Sequence, residues 1–244
     1  APFSIYKNIK KLIPGTYLKV SYNELLNNKF DSIYPVSYWN YNDRFNQLNI
    51  NNRNFSEKDV LQNLDLLLND SIRMQSISDV PIGVFLSGGI DSSLVTSIMQ
   101  NQSISPIKTF TIGFDDQEFN EAEYARHIAK HLNTDHHDLY LRDKDIIHSI
   151  DNISKVYDEP FADSSQIPTH LLCQMTKKHV TVSLSGDGGD ELFYGYMRYS
   201  FTKEVWNKIK FIPYPLRLII AKLIRDAPTT MYTKKIRLRL FIYI

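Results

Sequence analysis

The chain has 244 residues, of which 43% are hydrophobic and 23% are charged, so it can bury a packed core and is not wholly disordered. Lys and Arg (28) balance Asp and Glu (27), which argues against a protein that coats nucleic acid. A single cysteine excludes an internal disulfide framework, and neither a membrane span nor a signal peptide is recognisable. These features predict a globular protein of the reducing cytoplasm, without a membrane or nucleic-acid partner.

The first 55 residues differ in pattern from the rest of the chain. A Pro14-Gly15 turn follows a basic segment, and residues 16–22 alternate enough to predict a strand. Residues 41–55 are polar and rich in Asn, which is typical of a linker. We therefore place a domain boundary near Phe55.

From residue 56 onward, helical and strand patterns alternate. Ser56 is a predicted N-cap, and apolar residues follow it at helical spacing as far as Ile72. Strands separated by helices argue for βαβ units with right-handed crossovers. The predicted fold class is α/β, a doubly wound parallel sheet with helices on both faces. Strands are predicted at 82–86, 107–114, 136–141 and 180–184, with helices at 94–99, 121–132, 146–156 and 167–178 and a helical, basic region from about residue 200.

A glycine-rich loop, SGGIDSS at 87–93, directly follows the first buried strand. In an open parallel sheet, ligands bind outside the carboxyl ends of the strands. Two glycines let backbone N–H groups approach an anion, and the next helix adds its positive N-terminal end. The loop is therefore interpreted as a phosphate cradle, although a plain strand-to-helix turn is the alternative. Asp91 would repel phosphate unless a cation lies between them, which implies Mg²⁺.

A second glycine-rich loop, SGDGGDE at 185–191, follows the predicted strand at 180–184. Five of the nine glycines of the chain lie in these two loops. Because the carboxyl ends of parallel strands share one edge of a sheet, we expect both loops to lie on the same binding edge.

The first loop resembles the pyrophosphate loop of the ATP-pyrophosphatase superfamily, whose members cleave ATP between its α and β phosphates. Three further stretches resemble the synthetase domain of asparagine synthetases, and together they are specific to that family. These stretches are residues 110–141, 158–172 and 184–196. The resemblance implies an adenine nucleotide alpha-hydrolase-like fold.

The N-terminal segment adds to the resemblance. Residues 9–17, IKKLIPGTY, resemble the end of the family's glutaminase domain, and Tyr38-Trp39 resembles its connector. The resemblance thus divides the chain into a remnant of a glutaminase domain, a linker and a synthetase domain that is incomplete at its C-terminus. The corresponding ranges are 1–40, 41–55 and 56–244.

The family uses ATP to convert the side-chain carboxylate of aspartate into β-aspartyl-AMP, which ammonia attacks to give asparagine, AMP and pyrophosphate. The resemblance therefore implies a carbon–nitrogen ligase with ATP and Mg as cofactors and with aspartate and ammonia as small-molecule substrates. The nitrogen comes from glutamine or from free ammonia. A missing glutaminase domain is expected upstream, so the chain by itself is not expected to hydrolyse glutamine. Whether the chain forms a homodimer is left open at this point.

The resemblance also implies roles for individual residues. Leu86 and Ile112 match nucleotide contacts made by backbone groups at strand ends, and both are also expected to be buried. Asp91 and Asp190 match carboxylates that bind Mg²⁺. Asp187 lies where many family members carry Glu, so its implied catalytic role is to take the proton lost by the incoming ammonium or to orient the nucleophile. The alternative is that Asp187 stabilises the turn of its own loop. The implied ATP-binding residues are Leu86, Ser87, Gly88, Gly89, Asp91, Ser92, Ser93, Ile112, Ser185 and Gly186.

Other conspicuous residues receive no role. Asp163 and the two serines after it either line the substrate pocket or cap the helix at 167–178. The histidines lack the spacing of a zinc site, and we interpret them as surface and strand-start residues. Cys173 lies in an apolar helical stretch and is predicted to be buried. These histidines are His127, His131, His136 and His137. The C-terminal basic tail is interpreted as a helix that faces solvent or a partner, and its basic residues are Lys234, Lys235, Arg237 and Arg239.

Three other functions stay in view beside asparagine synthesis. The chain could be an inactive remnant that only binds nucleotide. It could be an amidotransferase that acts on another carboxylate, such as a surface sugar acid. An RNA-modifying member of the superfamily is the third, and the lack of a basic surplus argues against it.

Overall fold

The computed structural model describes residues 2–27, 33–50, 56–114, 120–160 and 163–226, and every structural statement below concerns these residues. The strands are β1 (Thr16–Tyr17), β2 (Val36–Ser37), β3 (Ile82–Phe85), β4 (Lys108–Phe114), β5 (Asp135–Leu141) and β6 (Val182–Leu184). The helices are α1 (Tyr22–Leu26), α2 (Tyr41–Ile50), α3 (Glu57–Gln75), α4 (Ile90–Gln102), α5 (Ala122–Leu132), α6 (Asp143–Val156), α7 (Gln166–Thr176), α8 (Gly189–Phe193), α9 (Met197–Ile209) and α10 (Tyr214–Asp226).

The chain forms two compact units. Unit 1 comprises Ala1–Ile77 and Tyr140–Lys178, and unit 2 comprises Ser78–Leu139 and His179–Ile244. Both glycine-rich loops belong to unit 2. The predicted domain boundary near residue 55 lies outside the described residues, and the predicted division of the chain into three domains stays a prediction.

Unit 2 is built on a four-stranded sheet in the order β5-β4-β3-β6. The central strand β3 pairs in parallel with β4 on one side and with β6 on the other. Helix α4 contacts β3, α5 contacts β4, and the two helices contact each other. The predicted parallel sheet flanked by helices is thereby confirmed.

The core of unit 2 explains why the sequence of β3 is a continuous apolar run. Val84 and Phe110 are completely buried, and Leu86, the residue after β3, is 1% exposed. Leu86 packs with Ala125 and Ala129 of α5. A parallel strand covered on both faces needs apolar side chains at successive positions rather than at alternate ones.

Two helix starts depend on capping boxes. Ser56 accepts a hydrogen bond from the N–H of Asp59, whose carboxylate accepts from the N–H of Ser56, so the predicted start of α3 is confirmed. Ser21 and Glu24 form the same arrangement at α1. The strand predicted over residues 16–22 is wrong beyond Tyr17, because residues 18–21 belong to neither a strand nor a helix and the capping box starts α1 at Tyr22.

The stretch predicted to be a linker is helical over Tyr41–Ile50. Its start is stabilised by Asn40, whose side-chain oxygen accepts hydrogen bonds from the N–H groups of Asn42 (2.9 Å) and Asp43 (3.4 Å). Polar composition alone did not reveal this helix. Asn is a poor helix former inside a helix but a good N-cap.

In unit 1 the N-terminal segment contacts the loop after α6. The hydroxyl of Tyr6 donates to the carbonyl of Asp158 over 2.8 Å, and Lys11 Nζ lies 2.6 Å from Glu159 Oε2. In the same unit, Asp163 Oδ1 accepts hydrogen bonds from the N–H (2.8 Å) and the hydroxyl (2.6 Å) of Ser165, just before α7. These bonds close a turn before α7, but the N-cap of that helix is Ser165 and has no side-chain cap, so the capping alternative for Asp163 is not borne out.

The residues that received no role are placed as follows. Cys173 is exposed, so the prediction that it is buried is wrong, because the apolar stretch of α7 does not turn this position inward. His127 and His131 are exposed on α5, whereas His136 and His137 are half-buried in β5. The predicted basic tail lies outside the described residues. Within the described ranges, no helix is long and apolar enough to cross a membrane.

Candidate active site

The first loop leaves the sheet at the carboxyl end of the central strand. The N–H of Leu86 donates to the carbonyl of Phe110 over 2.8 Å, which ties the start of the loop to β4. Gly88 adopts a left-handed conformation with φ +87°, and a Cβ there would lie 2.8 Å from Ala125 N and from Tyr124 Cβ. Only glycine fits here without strain, because α5 passes directly over the loop.

The serines of the first loop hold its shape. The N–H of Ser87 donates to Ser92 Oγ over 3.2 Å, and the two hydroxyl oxygens lie 3.0 Å apart. The hydroxyls of Ser92 and Ser93 donate to the carbonyl of Gly89 over 3.2 and 2.6 Å. The hydroxyls of these serines are thus hydrogen-bonded within the loop itself, and Ser92 is buried.

The N-terminus of α4 lies at the tip of this loop. Gly89 is its N-cap and supplies no side-chain hydrogen bond to the first turn. Because the first N–H groups of a helix have no partner within the helix, they are available to an anion. This is the arrangement that a phosphate cradle requires.

The second loop contacts the first. A Cβ on Gly186 would lie 2.7 Å from Ser92 N and 3.1 Å from the backbone carbon of Asp91. A Cβ on Gly189 would overlap the carboxylate of Asp91. The two loops therefore pack against each other through glycines, at the carboxyl ends of the neighbouring strands β3 and β6.

Asp187 lies on the exposed side of the second loop. The hydroxyl of Ser185 donates to Asp187 Oδ2 over 3.1 Å, and the N–H of Asp187 lies 3.4 Å from Ser185 Oγ. These bonds stabilise the turn, as the structural alternative for Asp187 predicts. The hydrogen bond from Ser185 uses only Oδ2, so the Oδ1 oxygen of Asp187 does not take part in it. Asp187 can therefore stabilise the turn and also act as a proton acceptor.

The remaining predicted residues lie in the same unit. Ile112 is half-buried inside β4, two residues before the strand ends, rather than at the strand end as predicted. Asp190 follows Gly189 directly, which places its backbone beside the contact between Gly189 and Asp91. In the described part of the chain, no group of three or more His, Cys, Asp or Glu side chains could hold a metal ion. Two carboxylates with phosphate oxygens are nevertheless a usual Mg²⁺ site.

Gly189 belongs to the site but was not among the residues predicted for it. The Gly188-Gly189 doublet is visible in the second loop, yet its contact with Asp91 depends on which strand lies beside β3. A sequence pattern does not show which residues of the two loops are in contact.

Comparison with known proteins supplies the family. The sequence model of asparagine synthase matches residues 63–243. The chain belongs to the asparagine synthase family. It is 36% identical over 224 residues to a protein of Methanocaldococcus jannaschii named as a glutamine-hydrolysing asparagine synthetase, covering 91% of this chain and 41% of that protein. It is 41% identical over 130 residues to asparagine synthetase 1 of Bacillus subtilis, covering 53% of this chain and 20% of that protein.

The chain spans about two fifths or less of the length of these two relatives. Among solved structures, an NMN synthetase from Francisella tularensis matches with 20% identity and a TM-score of 0.39, over 59% of this chain and 60% of that chain. The resemblance to the asparagine synthetase family that the two loops and their flanking stretches carry is confirmed.

Proposed function

We propose that the chain carries out ATP-dependent amide formation, in which aspartate is converted into asparagine through β-aspartyl-AMP. The observation that supports this most directly is the contact between the two glycine-rich loops. It combines an anion-binding helix terminus with carboxylates on one edge of a parallel sheet. Family membership supports the same reaction class.

The residues of unit 2 fit ATP and Mg²⁺. The first N–H groups of α4, which receive no side-chain cap, suit the pyrophosphate part of ATP, and Gly88 and Gly89 would let it approach the loop backbone closely. Ser185 and Gly186 line the same place from the second loop. Asp91 would hold Mg²⁺ with Asp190, and the cation would neutralise the charge that develops on the leaving pyrophosphate.

The first step forms one bond and breaks one. An oxygen of the aspartate side-chain carboxylate attacks the α-phosphorus of ATP, and the bond from that phosphorus to the bridging oxygen breaks. Pyrophosphate leaves with the electron pair, and the positive N-terminal end of α4 would stabilise the charge that it carries. A carboxylate needs this activation because its own leaving group would be oxide.

In the second step, ammonia attacks the acyl carbon and AMP leaves with the electrons of the carbon–oxygen bond. The attacking nitrogen loses a proton, and we assign this proton to the carboxylate of Asp187. Asp187 is exposed, and the hydrogen bond from Ser185 orients one of its carboxylate oxygens.

The names of two relatives, which call them glutamine-hydrolysing, support glutamine as the proposed source of nitrogen. The proposal includes an upstream glutaminase domain that ends within residues 1–40, and this part rests on the resemblance of residues 9–17 to the end of that domain. Free ammonia serves the same acyl carbon, so ammonium chloride replaces glutamine in a test of this chain.

Exchange of labelled pyrophosphate into ATP tests the proposal, with L-aspartate and then with other carboxylic acids. Aspartate-dependent exchange is expected. Exchange with another acid only would reject asparagine synthesis and favour the alternative amidotransferase. Nucleotide binding without any exchange would leave a binding remnant, and no nucleotide binding would contradict the interpretation of both loops.

The role of Asp187 is tested separately. We expect Asp187→Ala to keep aspartate-dependent exchange and to lower asparagine formation from ammonium chloride by about 100-fold, a typical contribution of a positioned proton acceptor. Asp187→Asn is the matched control for the shape of the turn, and it should lose the same step. Near-normal asparagine formation in both variants would contradict the assignment.

A further inference from the structure

The chain folds back on itself directly after the second loop. Helix α8 ends at Phe193, and its C-cap residue Tyr194 adopts a left-handed conformation with φ 63°. The N–H of Gly195 then donates to the carbonyl of Asp190 over 3.0 Å. This bond closes a turn whose first residue is one of the two predicted Mg²⁺ ligands.

A second link closes the same turn one residue further along. The hydroxyl of Tyr196 donates to Glu191 Oε1 over 2.7 Å, so the backbone link and the side-chain link both join residues five apart. The guanidinium of Arg198 lies 4.0 Å from the centre of the Tyr196 ring, which stabilises the ring in place. We refer to residues 190–196 as the closed turn.

The closed turn brings the Asp190 side chain onto the α-carbon of Gly195. A Cβ on Gly195 would overlap Asp190 Oδ1 and lie 2.8 Å from Asp190 Cγ. Any other residue at position 195 would therefore force the carboxylate of Asp190 to turn away. Asp91 has the same arrangement with Gly189, so each of the two carboxylates rests against a glycine of this one segment.

We propose that Gly195, together with the link between Tyr196 and Glu191, positions the carboxylate of Asp190 for cation binding. This inference rests on the proposed function, which gives Asp190 its cation. Mg²⁺ accepts oxygen ligands only in a narrow, near-octahedral geometry, so a small displacement of one carboxylate weakens binding. Changes to residues that orient metal ligands typically cost about 10–100-fold in metal affinity.

The experiment measures ATP affinity by calorimetry with Mg²⁺ and with EDTA, and takes the ratio of the two affinities. Gly195→Ala should lower this ratio about ten-fold and leave the affinity in EDTA unchanged. Asp190→Ala should lower the ratio similarly, and the double variant should be no worse than Asp190→Ala. Additive losses in the double variant, or an unchanged ratio in Gly195→Ala, would overturn the proposal.

Gly188→Ala is the matched control. Gly188 has φ +92° and no atom within 4 Å of a Cβ placed on it, so the substitution strains the same segment without touching Asp190. It should keep the ratio. Tyr196→Phe removes the side-chain link without steric overlap and should lower the ratio by a smaller factor. If Gly195→Ala does not fold, Tyr196→Phe decides, and an unchanged ratio there contradicts the proposal.

A measurement without nucleotide separates this inference from the proposed function. The ¹³C resonance of the Asp190 carboxyl group, assigned by its loss in Asp190→Ala, should shift in Gly195→Ala and stay in Gly188→Ala. If the unmodified chain shows no dependence of ATP binding on Mg²⁺, the cation role of Asp190 fails while this shift still tests its position. An unchanged resonance in Gly195→Ala overturns the positioning itself.

Discussion

Replacing Gly88 by Ala should destabilise unit 2 by about 3 kcal/mol. Two costs add at this position. Alanine pays about 1–2 kcal/mol in the left-handed conformation that Gly88 adopts at φ +87°. Its Cβ would also lie 2.8 Å from Ala125 N, a backbone atom of α5, and overpacking of this kind costs about 1–3 kcal/mol.

The overlap at Gly88 has no easy relief. The atoms that a Cβ would meet are the backbone of α5 and Tyr124 Cβ, neither of which is the end of a flexible side chain. Moving α5 outward would open its packing against Leu86, which is 1% exposed. The cost of the overlap therefore adds to the conformational cost, which gives the expected total of about 3 kcal/mol.

Urea unfolding followed by tryptophan fluorescence measures this loss. The chain has two tryptophans, and Trp39→Phe leaves Trp206 as the reporter of unit 2. Gly89→Ala is the matched control, because Gly89 has φ −70° and a Cβ there would meet only Ser87 Oγ at 3.3 Å. It should change the free energy of unfolding by less than about 1 kcal/mol. Equal losses in the two variants, or a loss below about 1 kcal/mol for Gly88→Ala, would refute the reasoning.

Three further predictions concern unit 1 and the closed turn. Ser56→Ala removes the capping box of α3 and should cost about 1 kcal/mol, measured by unfolding with Trp39 as the reporter in a Trp206→Phe background; no change would show that the cap is not used. Lys11 holds the pKa of Glu159 below its usual value through their hydrogen bond, so Lys11→Met should raise that pKa in an NMR titration while Lys10→Met leaves it unchanged. The stabilisation from this pair is present above the ordinary pKa of Glu and is lost as the pH falls through the lowered one. The hydrogen bond to Glu191 raises the pKa of Tyr196 to about 12, so the absorbance difference between the unmodified chain and Tyr196→Phe should titrate near that value, and Glu191→Gln should move it back towards 10.

Short-range patterns predicted most of unit 2 correctly. The run over β3, the glycines after it and the helical spacing of α4 each depend on neighbours within a few residues. The Ser56 cap is also local, since its partner lies three residues on. The strand predicted over residues 16–22 is wrong for a local reason as well, since its apolar alternation is weak and the capping box at Ser21 favours a helix from Tyr22.

Long-range contacts were beyond the reach of these patterns. The fit of Gly186 against Ser92 and of Gly189 against Asp91 joins residues about a hundred positions apart. The apolar pattern of α7 likewise does not say which side of the helix meets the core, and Cys173 is exposed. Which side chains of a helix are buried depends on the elements that pack against it, and the sequence alone does not show these elements.

The position of β6 beside β3 explains why the two loops can act on one ligand. Neighbouring strands of a sheet lie about 4.8 Å apart, so loops that leave the same edge of adjacent strands begin within reach of each other. Because β3 is central, with β4 on one side and β6 on the other, its loop has a neighbour on each side. Side chains at positions 186 and 189 would separate the loops, whereas glycine lets Asp91 rest on the second loop. The glycines thus bring an anion-binding helix terminus and two carboxylates to one place, and we expect Gly186→Val to weaken ATP binding even though it removes no polar group.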